Sequence, residues 1–300
     1  MTTVAEARLL GRRKLESVDN PVLDADLILA HILGWDRESL FARDDRVLTD
    51  DQTREYDSLL SQRAQGRPVA YITGKKLWFG LELHVSEAVL IPRPETETLA
   101  ESAIEIAGEI RSSETARHSG QGRPREQRFT AVDVATGSGA IALALATTFE
   151  DILVLATDNS PEALAVADGN IARYNLDQRV GLLRGDLITP VASEPDLIVA
   201  NLPYVPTSDL PDLSPEVLAE PHAALFAGVD GTDSLRRLLH QVVDRGWRCP
   251  LVLEIDPRQG QPLLHLVSEL FPGSNAELRK DLSGRERVLV VRFPAGIARS

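Results

Sequence analysis

The chain has 300 residues, of which 43% are hydrophobic and 26% are charged, enough for one large core and a small additional domain. Its net charge of −13 argues against stable binding of nucleic acid, which needs a basic face to neutralise phosphates. A single cysteine, scattered histidines and the lack of a long apolar run predict a cytoplasmic protein without a disulfide framework, a metal site or a membrane segment.

Residues 1–67 are predicted to form a helical domain. The apolar residues that recur near a 3.6-residue period in its first clear helix are Val22, Leu23, Leu27, Ala30 and Leu33. Another helix is predicted to begin after the capping residue Thr49 and to end at Gly66. Helical modules of this size usually serve for docking or packing, and no residue pattern in this one suggests chemistry. The domain is therefore expected to dock the substrate.

Residues 68–90 are predicted to form a β-hairpin linker, because they are rich in aromatic and β-branched residues around two glycines. Residues 91–300 are predicted to form the main domain. It opens with a helix in "RPETETLAESAIEIAGEI", whose first-turn carboxylates suit the helix dipole. The polar segment 111–128 has no period and is predicted to be a mobile surface loop.

From Phe129 onward, apolar strand patterns alternate with helical ones. The predicted strands are "FTAVDVA", "LVLATD", "VGLLRGD", "DLIVANL", "CPLVLEID" and "RVLVVRF". Such alternation is typical of an α/β fold with a doubly wound, mostly parallel sheet. Ligands of these sheets bind at the carboxyl ends of the strands, so the residues that follow each strand are the candidates for a site.

The first strand is followed by a glycine turn in "VDVATGSGAIALALA". Gly137 and Gly139 allow close approach of the backbone to a ligand, and the helix that follows offers free N–H groups. This pattern fits S-adenosylmethionine or a dinucleotide, and a turn that binds nothing is the structural alternative. Asp158, about twenty residues further on, suits the ribose hydroxyls of either ligand. Asp186 suits the adenine side or a helix cap.

The segment "NLPY", residues 201–204, decides between these ligands. It resembles the (Asn/Asp)-Pro-Pro-(Tyr/Phe) motif of methyltransferases that modify amide or exocyclic amino nitrogens. An amide nitrogen is a poor nucleophile, and a site assists it by accepting hydrogen bonds from its N–H groups. The side-chain oxygen of Asn201 and the carbonyl of Leu202 are suitable acceptors, and Tyr204 is expected to pack on the planar substrate. A plain turn after a strand is the alternative.

Most of the chain resembles the release-factor glutamine N5-methyltransferase family. The segments that carry the resemblance are "LIPRPETETL", "VDVATGSGAIALALA", "NLPYVP", "EPHAALFAGVDGTDSLRRLL", "LVLEID" and "DLSGRERVLVVR". The resemblance implies a small N-terminal helical domain, a β-hairpin linker and a class I, Rossmann-like methyltransferase domain. It also implies methylation of the glutamine in the Gly-Gly-Gln loop of class 1 peptide chain release factors, with S-adenosylmethionine as donor.

The resemblance assigns roles residue by residue. Donor-binding roles fall on Ala135, Thr136, Gly137, Ser138, Gly139, Asp158, Asp186, Leu187 and Asn201. Catalytic roles fall on Asn201, Leu202, Pro203 and Tyr204, and a place at the substrate entrance falls on Arg93, Pro94 and Glu95. From the residues alone, Arg93 and Glu95 fit an ion pair at the start of a helix equally well.

Three positions depart from the family pattern. Leu202 replaces the first proline of the substrate motif, which keeps the carbonyl but removes a constraint on Asn201. Ala135 stands where relatives usually have glycine, and Leu187 stands where they often have an aromatic residue.

Several alternatives stay open. Leu202 raises the alternative of a divergent paralogue that methylates another protein or a small metabolite. A non-catalytic binding module belongs to a different class, but the intact glycine turn, Asp158 and Asn201 argue against it. A nucleic-acid amino-methyltransferase conflicts with the acidic charge. An NAD-dependent oxidoreductase would leave "NLPY" unexplained. The expected protein is a monomeric N-methyltransferase.

Overall fold

The computed structural model describes residues 2–117 and 128–294. The helices are α1 (Val4–Lys14), α2 (Pro21–Leu33), α3 (Arg37–Ala42), α4 (Asp50–Ala64), α5 (Val69–Thr73), α6 (Thr96–Arg117), α7 (Ala140–Thr148), α8 (Pro161–Arg173), α9 (Pro215–Leu218), α10 (His222–Leu225), α11 (Asp233–Asp244) and α12 (Gly260–Leu270). The strands are β1 (Lys75–Trp78), β2 (Leu81–His84), β3 (Thr130–Val134), β4 (Leu153–Asp158), β5 (Val180–Arg184), β6 (Leu197–Ala200), β7 (Leu251–Glu254), β8 (Asn275–Lys280) and β9 (Glu286–Arg292).

Contacts divide the chain into two compact units. The first unit comprises residues 1–75, 85–87 and 212–220, and the second comprises residues 76–84, 88–211 and 221–300. The division into domains 1–67, 68–90 and 91–300 stays a prediction. Over residues 2–117 and 128–294, no helix combines the length and the apolar character needed to cross a membrane.

The first unit is helical, as predicted. The expected start of α4 is confirmed, since Thr49 and Gln52 cap it reciprocally. The helix predicted from Val22, Leu23, Leu27, Ala30 and Leu33 is present as α2, although Val22, Leu23 and Leu27 are more than a third exposed.

The buried face of α2 carries two aspartates instead. Asp24 accepts a hydrogen bond from Arg63 at 2.6 Å, and Asp26 accepts one from Arg8 at 2.7 Å. Because their charges are paired, these carboxylates can be buried while apolar neighbours stay at the surface. Arg63 also donates to Glu216 at 2.9 Å, which ties α9 into the same unit.

The second unit is built on a seven-stranded sheet with the order β5-β4-β3-β6-β7-β9-β8. Strands β3 to β7 run parallel, and β9 and β8 are added antiparallel. Side chains of α6, α7 and α8 pack on one face of the sheet, and those of α11 and α12 pack on the other. The prediction of a doubly wound, mostly parallel sheet is therefore confirmed, with β8 as an additional edge strand.

Two local predictions need correction. Residues 111–117 continue α6, and no glycine or proline, the strongest helix breakers, occurs between Arg111 and Gly120. The mobile-loop prediction is therefore wrong for this part, and residues 118–127 lie outside the described residues. The predicted hairpin is present as β1 and β2, whereas residues 69–73 before it form the short helix α5.

Candidate active site

A cavity of about 340 Å³ lies in the second unit, where β3, β4, β5 and β6 end. The predicted site residues that line it are Ala135, Thr136, Gly137, Ser138, Asp158, Asp186, Leu187, Asn201, Leu202 and Pro203. The lining does not include Gly139, Tyr204, Arg93, Pro94 or Glu95. The fold thus brings the strand-end residues together around one cavity of a size suited to a small ligand.

The glycine turn after β3 has an unusual backbone. Ala135, Gly137 and Gly139 have φ values of 57°, 55° and 81°, in the left-handed region that favours glycine. A Cβ added at Gly137 would meet no heavy atom within 4 Å, whereas one at Gly139 would lie 3.4 Å from the Cβ of Ala167. Gly137 therefore borders open space beside the cavity, and Gly139 allows α7 and α8 to pack closely.

Asp158 holds the glycine turn against the end of β4. Its Oδ2 accepts from the N–H of Gly137 at 3.0 Å, and its Oδ1 accepts from the N–H of Ser160 at 3.0 Å. Each carboxylate oxygen has a further lone pair, so Asp158 can still accept hydroxyl groups of a ligand.

Asp133, within β3, supports the same turn from below. Its Oδ2 accepts from the Thr136 hydroxyl at 2.6 Å and from the N–H of Ala142 at 3.1 Å. Its Oδ1 is buried without a hydrogen-bond partner among the described residues. Burial raises the pKa of Asp133 to about 6, although both hydrogen bonds act to lower it.

The far wall of the cavity is formed by the segment after β5. Asp186 accepts from Arg237 at 2.6 Å and from Gln241 at 3.1 Å, so α11 fixes its carboxylate. Leu187 is buried and has a φ of 52°. A left-handed leucine is strained, which indicates that packing around it determines this backbone shape.

Asn201 follows β6 and faces the cavity together with Leu202. The Nδ2 of Asn201 donates to the hydroxyl of Thr96, at the start of α6, over 3.2 Å. This bond leaves the amide oxygen of Asn201 for other partners. The side chain of Leu202 is 2% exposed and packs in the core between the sheet and α11. Apolar packing therefore anchors the position where the motif lacks its first proline.

The backbone of Tyr204 is fixed from two sides. Its carbonyl accepts from the Nε2 of Gln259 at 3.0 Å. Gly231 lies so close that an added Cβ would be 2.1 Å from the same oxygen. Burial also raises the pKa of the Tyr204 hydroxyl.

The segment before α6 carries the predicted entrance residues. Arg93 is half-buried, and its carbonyl accepts from the indole of Trp78 at 2.8 Å, whereas Pro94 and Glu95 are exposed. Thr96, the next residue, lines the cavity. An entrance role for Arg93, Pro94 and Glu95 stays a prediction.

Glu254, the last residue of β7, is buried to 1% exposure beside this site. Neither carboxylate oxygen has a hydrogen-bond partner of normal geometry among the described residues. Burial raises the pKa of Glu254 to about 7, while the nearby Thr96 hydroxyl, Arg287 and the Tyr204 hydroxyl act to lower it. In residues 2–117 and 128–294, no group of three or more His, Cys, Asp or Glu side chains could hold a metal ion.

Comparison with known proteins gives the family. Residues 6–74 match the PrmC N-terminal domain, and residues 123–228 match the methyltransferase small domain. The release factor glutamine methyltransferase of Koribacter versatilis is 38% identical over 97% of this chain and 99% of its own length. That of Deinococcus radiodurans is 38% identical over 99% of this chain and 98% of its own length. The chain belongs to the release factor glutamine methyltransferase family. It is a methyltransferase.

Solved structures agree with the methyltransferase fold. The human METTL16 catalytic domain, in complex with an RNA hairpin, has a TM-score of 0.57 at 14% identity, covering 86% of this chain and 86% of that chain. The N-terminal domain of human METTL16 in complex with SAH has a TM-score of 0.51 at 15% identity, covering 79% of this chain and 84% of that chain. At such low identity, these likenesses show the fold alone.

Four residues support the site of this methyltransferase, although its sequence motifs imply no role for them. They are Thr96, Asp133, Glu254 and Gln259, all of them buried. A signal was present for two of them. Asp133 and Glu254 are acidic residues within otherwise apolar strands, and an acidic side chain is rarely buried without a specific reason.

Proposed function

We propose that this methyltransferase transfers a methyl group from S-adenosylmethionine to the side-chain amide nitrogen of the glutamine in the Gly-Gly-Gln loop of class 1 peptide chain release factors. The observation that carries the proposal is Asn201, an amide at the end of β6 whose oxygen is left for a partner beside the cavity. Relatives that match nearly the whole chain and are named release factor glutamine methyltransferases support this acceptor. Because translation is cytoplasmic, we expect the enzyme in the cytoplasm. We also expect it to be a monomer.

The residues that line the cavity suit the chemistry of the donor. The open space beside Gly137 gives a ligand access to the backbone, and Asp158 offers lone pairs for ribose hydroxyls. Leu187 provides an apolar surface for an adenine ring, and Asp186 lies beside it with its carboxylate held by α11. The proposed donor site comprises Ala135, Thr136, Gly137, Ser138, Gly139, Asp158, Asp186, Leu187 and Asn201.

The bound donor would supply an electrophilic methyl group on a sulfonium. The protein's own task is then to orient a weakly nucleophilic amide nitrogen. The side-chain oxygen of Asn201 and the carbonyl of Leu202 would accept the two N–H groups of the substrate amide. Tyr204 would pack on the amide plane, with its backbone fixed by Gln259. Positioning and electrostatics, rather than strong general-base catalysis, would promote the transfer.

Burial of Leu202, which replaces the first proline of the substrate motif, supports the glutamine amide as the methyl acceptor. Its buried side chain replaces the rigidity of a proline by packing in the core, so the segment stays anchored. Rigidity of the motif therefore does not depend on the missing ring alone.

Mass spectrometry of a release factor, incubated with the enzyme and S-adenosylmethionine, tests the acceptor. We expect one added methyl group on the Gly-Gly-Gln peptide, and no mass gain there would refute the proposed substrate. Replacement Asn201→Ala should preserve donor binding in calorimetry and lower the transfer rate at least about 100-fold, the order expected when a substrate is no longer held for reaction. Transfer at the unchanged rate would contradict the role of Asn201.

A further inference from the structure

Glu254, buried at the end of β7, has no role in the methyl transfer proposed above. Strands β6 and β7 are parallel, with Ala200 paired to Leu253. The next residues are Asn201, directly after β6, and Glu254, the last residue of β7. The register thus places the buried carboxylate beside the amide that is proposed to hold the substrate.

Thr96 lies between these two groups. Its hydroxyl accepts from the Nδ2 of Asn201 at 3.2 Å, and it is close enough to Glu254 to lower the pKa of that carboxyl. A hydroxyl has one proton to donate, and here one lone pair is already used by Asn201. Its proton is therefore available to Glu254, whose two buried oxygens have accepting capacity left.

Asn201, Thr96 and Glu254 form a hydrogen-bond chain. The direction in which its hydrogen bonds point decides which end of the Asn201 amide faces the substrate. When Glu254 is ionised, it can only accept, so Thr96 donates to it and accepts from Asn201. The amide oxygen of Asn201 is then presented to the acceptor N–H groups. When Glu254 is protonated, it can donate to Thr96, which then donates to the oxygen of Asn201. The amide would turn its NH2 group, a donor, toward another donor.

We propose that Glu254 is a positioning residue of the methyl transfer, which through Thr96 sets the orientation of the Asn201 amide. The inference rests on the proposed function, because it takes Asn201 as the group that holds the substrate amide. A buried carboxylate whose oxygens make no hydrogen bond of normal geometry with the described residues destabilises a fold, so its presence beside this amide calls for a reason other than stability.

Ionisation of Glu254 depends on the groups that face it. These include Arg287 on β9, Glu95 before α6 and the hydroxyl of Tyr204 after β6. Arg287 favours the ionised form and Glu95 opposes it, while burial has the largest effect and favours the neutral form. The carboxyl therefore titrates near neutral pH, where its pKa of about 7 lies. Transfer should become faster as pH rises through this range.

The test compares Glu254→Gln with the wild type on a release factor at saturating donor. We expect kcat to fall at least about tenfold with little change in KM, since misorientation affects the reacting geometry. The wild-type kcat should rise with one ionisation near about pH 7, and this rise should be absent in Glu254→Gln. The surface change Glu269→Gln, on α12, is the matched control and should preserve both kcat and the pH profile. Wild-type kcat and pH profile in Glu254→Gln would overturn the inference.

Thr96 provides a second pair of variants if Glu254→Gln does not fold. Thr96→Ser keeps the hydroxyl and should lower kcat less than Thr96→Val, which keeps the shape, removes the hydroxyl and should lower kcat as Glu254→Gln does. Equal kcat in both Thr96 variants would overturn the inference. If the double variant of Glu254→Gln and Thr96→Val folds, its kcat should be no lower than that of either single variant, because both changes interrupt the same hydrogen-bond chain.

A readout without catalysis separates this inference from the proposed function. With selective asparagine labelling, the side-chain NH2 signal of Asn201, assigned through its loss in Asn201→Ala, can be followed by NMR against pH. We expect a titration near about pH 7 in the wild type and none in Glu254→Gln. If the release factor is not methylated, the proposed function fails, while this titration would still support the hydrogen-bond chain from Glu254 through Thr96 to Asn201. An Asn201 signal that does not titrate in the wild type refutes that hydrogen-bond chain.

Discussion

Gly231→Ala should damage both stability and transfer, because Gly231 is packed against the backbone of Tyr204. Its φ of 75° already disfavours a side chain, at a cost of about 1 to 2 kcal/mol in the free energy of unfolding. The added Cβ would also lie 2.1 Å from the carbonyl oxygen of Tyr204, so the backbone must move. Overpacking of this kind adds about 1 to 3 kcal/mol.

Gly246→Ala is the matched control. Gly246 has a φ of 66°, and an added Cβ would meet no heavy atom within 4 Å. The control should therefore show the backbone cost alone, about 1 to 2 kcal/mol, and unaltered transfer. Gly231→Ala should lose about 2 to 5 kcal/mol in total, and its kcat should fall about 10- to 100-fold if Tyr204 is displaced by part of an ångström.

Urea denaturation and transfer to a release factor measure the two effects. Equal losses of unfolding free energy in the two variants would refute the close contact between Gly231 and Tyr204. A stability difference with unaltered kcat would instead refute the role of Tyr204 in holding the substrate.

Two further predictions concern buried charges. The pKa of Glu254 rises from 4.5 to about 7 on folding, so its stabilising contribution is present at low pH and is lost as pH rises through that range. Between about pH 5 and pH 8, the unfolding free energy of the wild type, measured with urea, should therefore fall by about 2 to 3 kcal/mol relative to that of Glu254→Gln. An equal pH dependence of both proteins would contradict the raised pKa. Arg63→Ala should lower the unfolding free energy by about 3 to 5 kcal/mol, because it leaves Asp24 buried without its cation. A loss below about 1 kcal/mol would show that the pair is not buried in solution.

The sheet could be predicted because its parallel strands are apolar on both faces. Strands β3, β6 and β7 are buried along nearly their whole length, so they appear in the sequence as continuous apolar runs. Strand β8 lies at the sheet edge and has the sequence NAELRK, in which no residue is fully buried. Such a polar edge strand forms only because β9 offers it backbone partners, which local pattern does not reveal.

The same contrast applies to the site. The places of Asp158 and Asn201 at the cavity could be predicted, since they follow directly from the ends of parallel strands. The supporting residues depend on contacts between distant parts of the chain. Thr96 is 105 residues from Asn201, and Gln259 is 55 residues from Tyr204. Likewise, the burial of Asp24 on α2 depends on Arg63, 39 residues further along the chain, which the local sequence pattern does not reveal.

The left-handed backbones of Ala135 and Leu187 affect how a ligand is captured. Both residues line the cavity, and their turns are held by protein contacts, namely the burial of Leu187 and the hydrogen bond from Gly137 to Asp158. The conformational entropy of these two turns is therefore lost during folding and not at the moment of binding. A ligand that meets such a cavity can dock onto fixed walls. Association then needs no slow ordering of the turns, and most of the contact energy remains to slow dissociation.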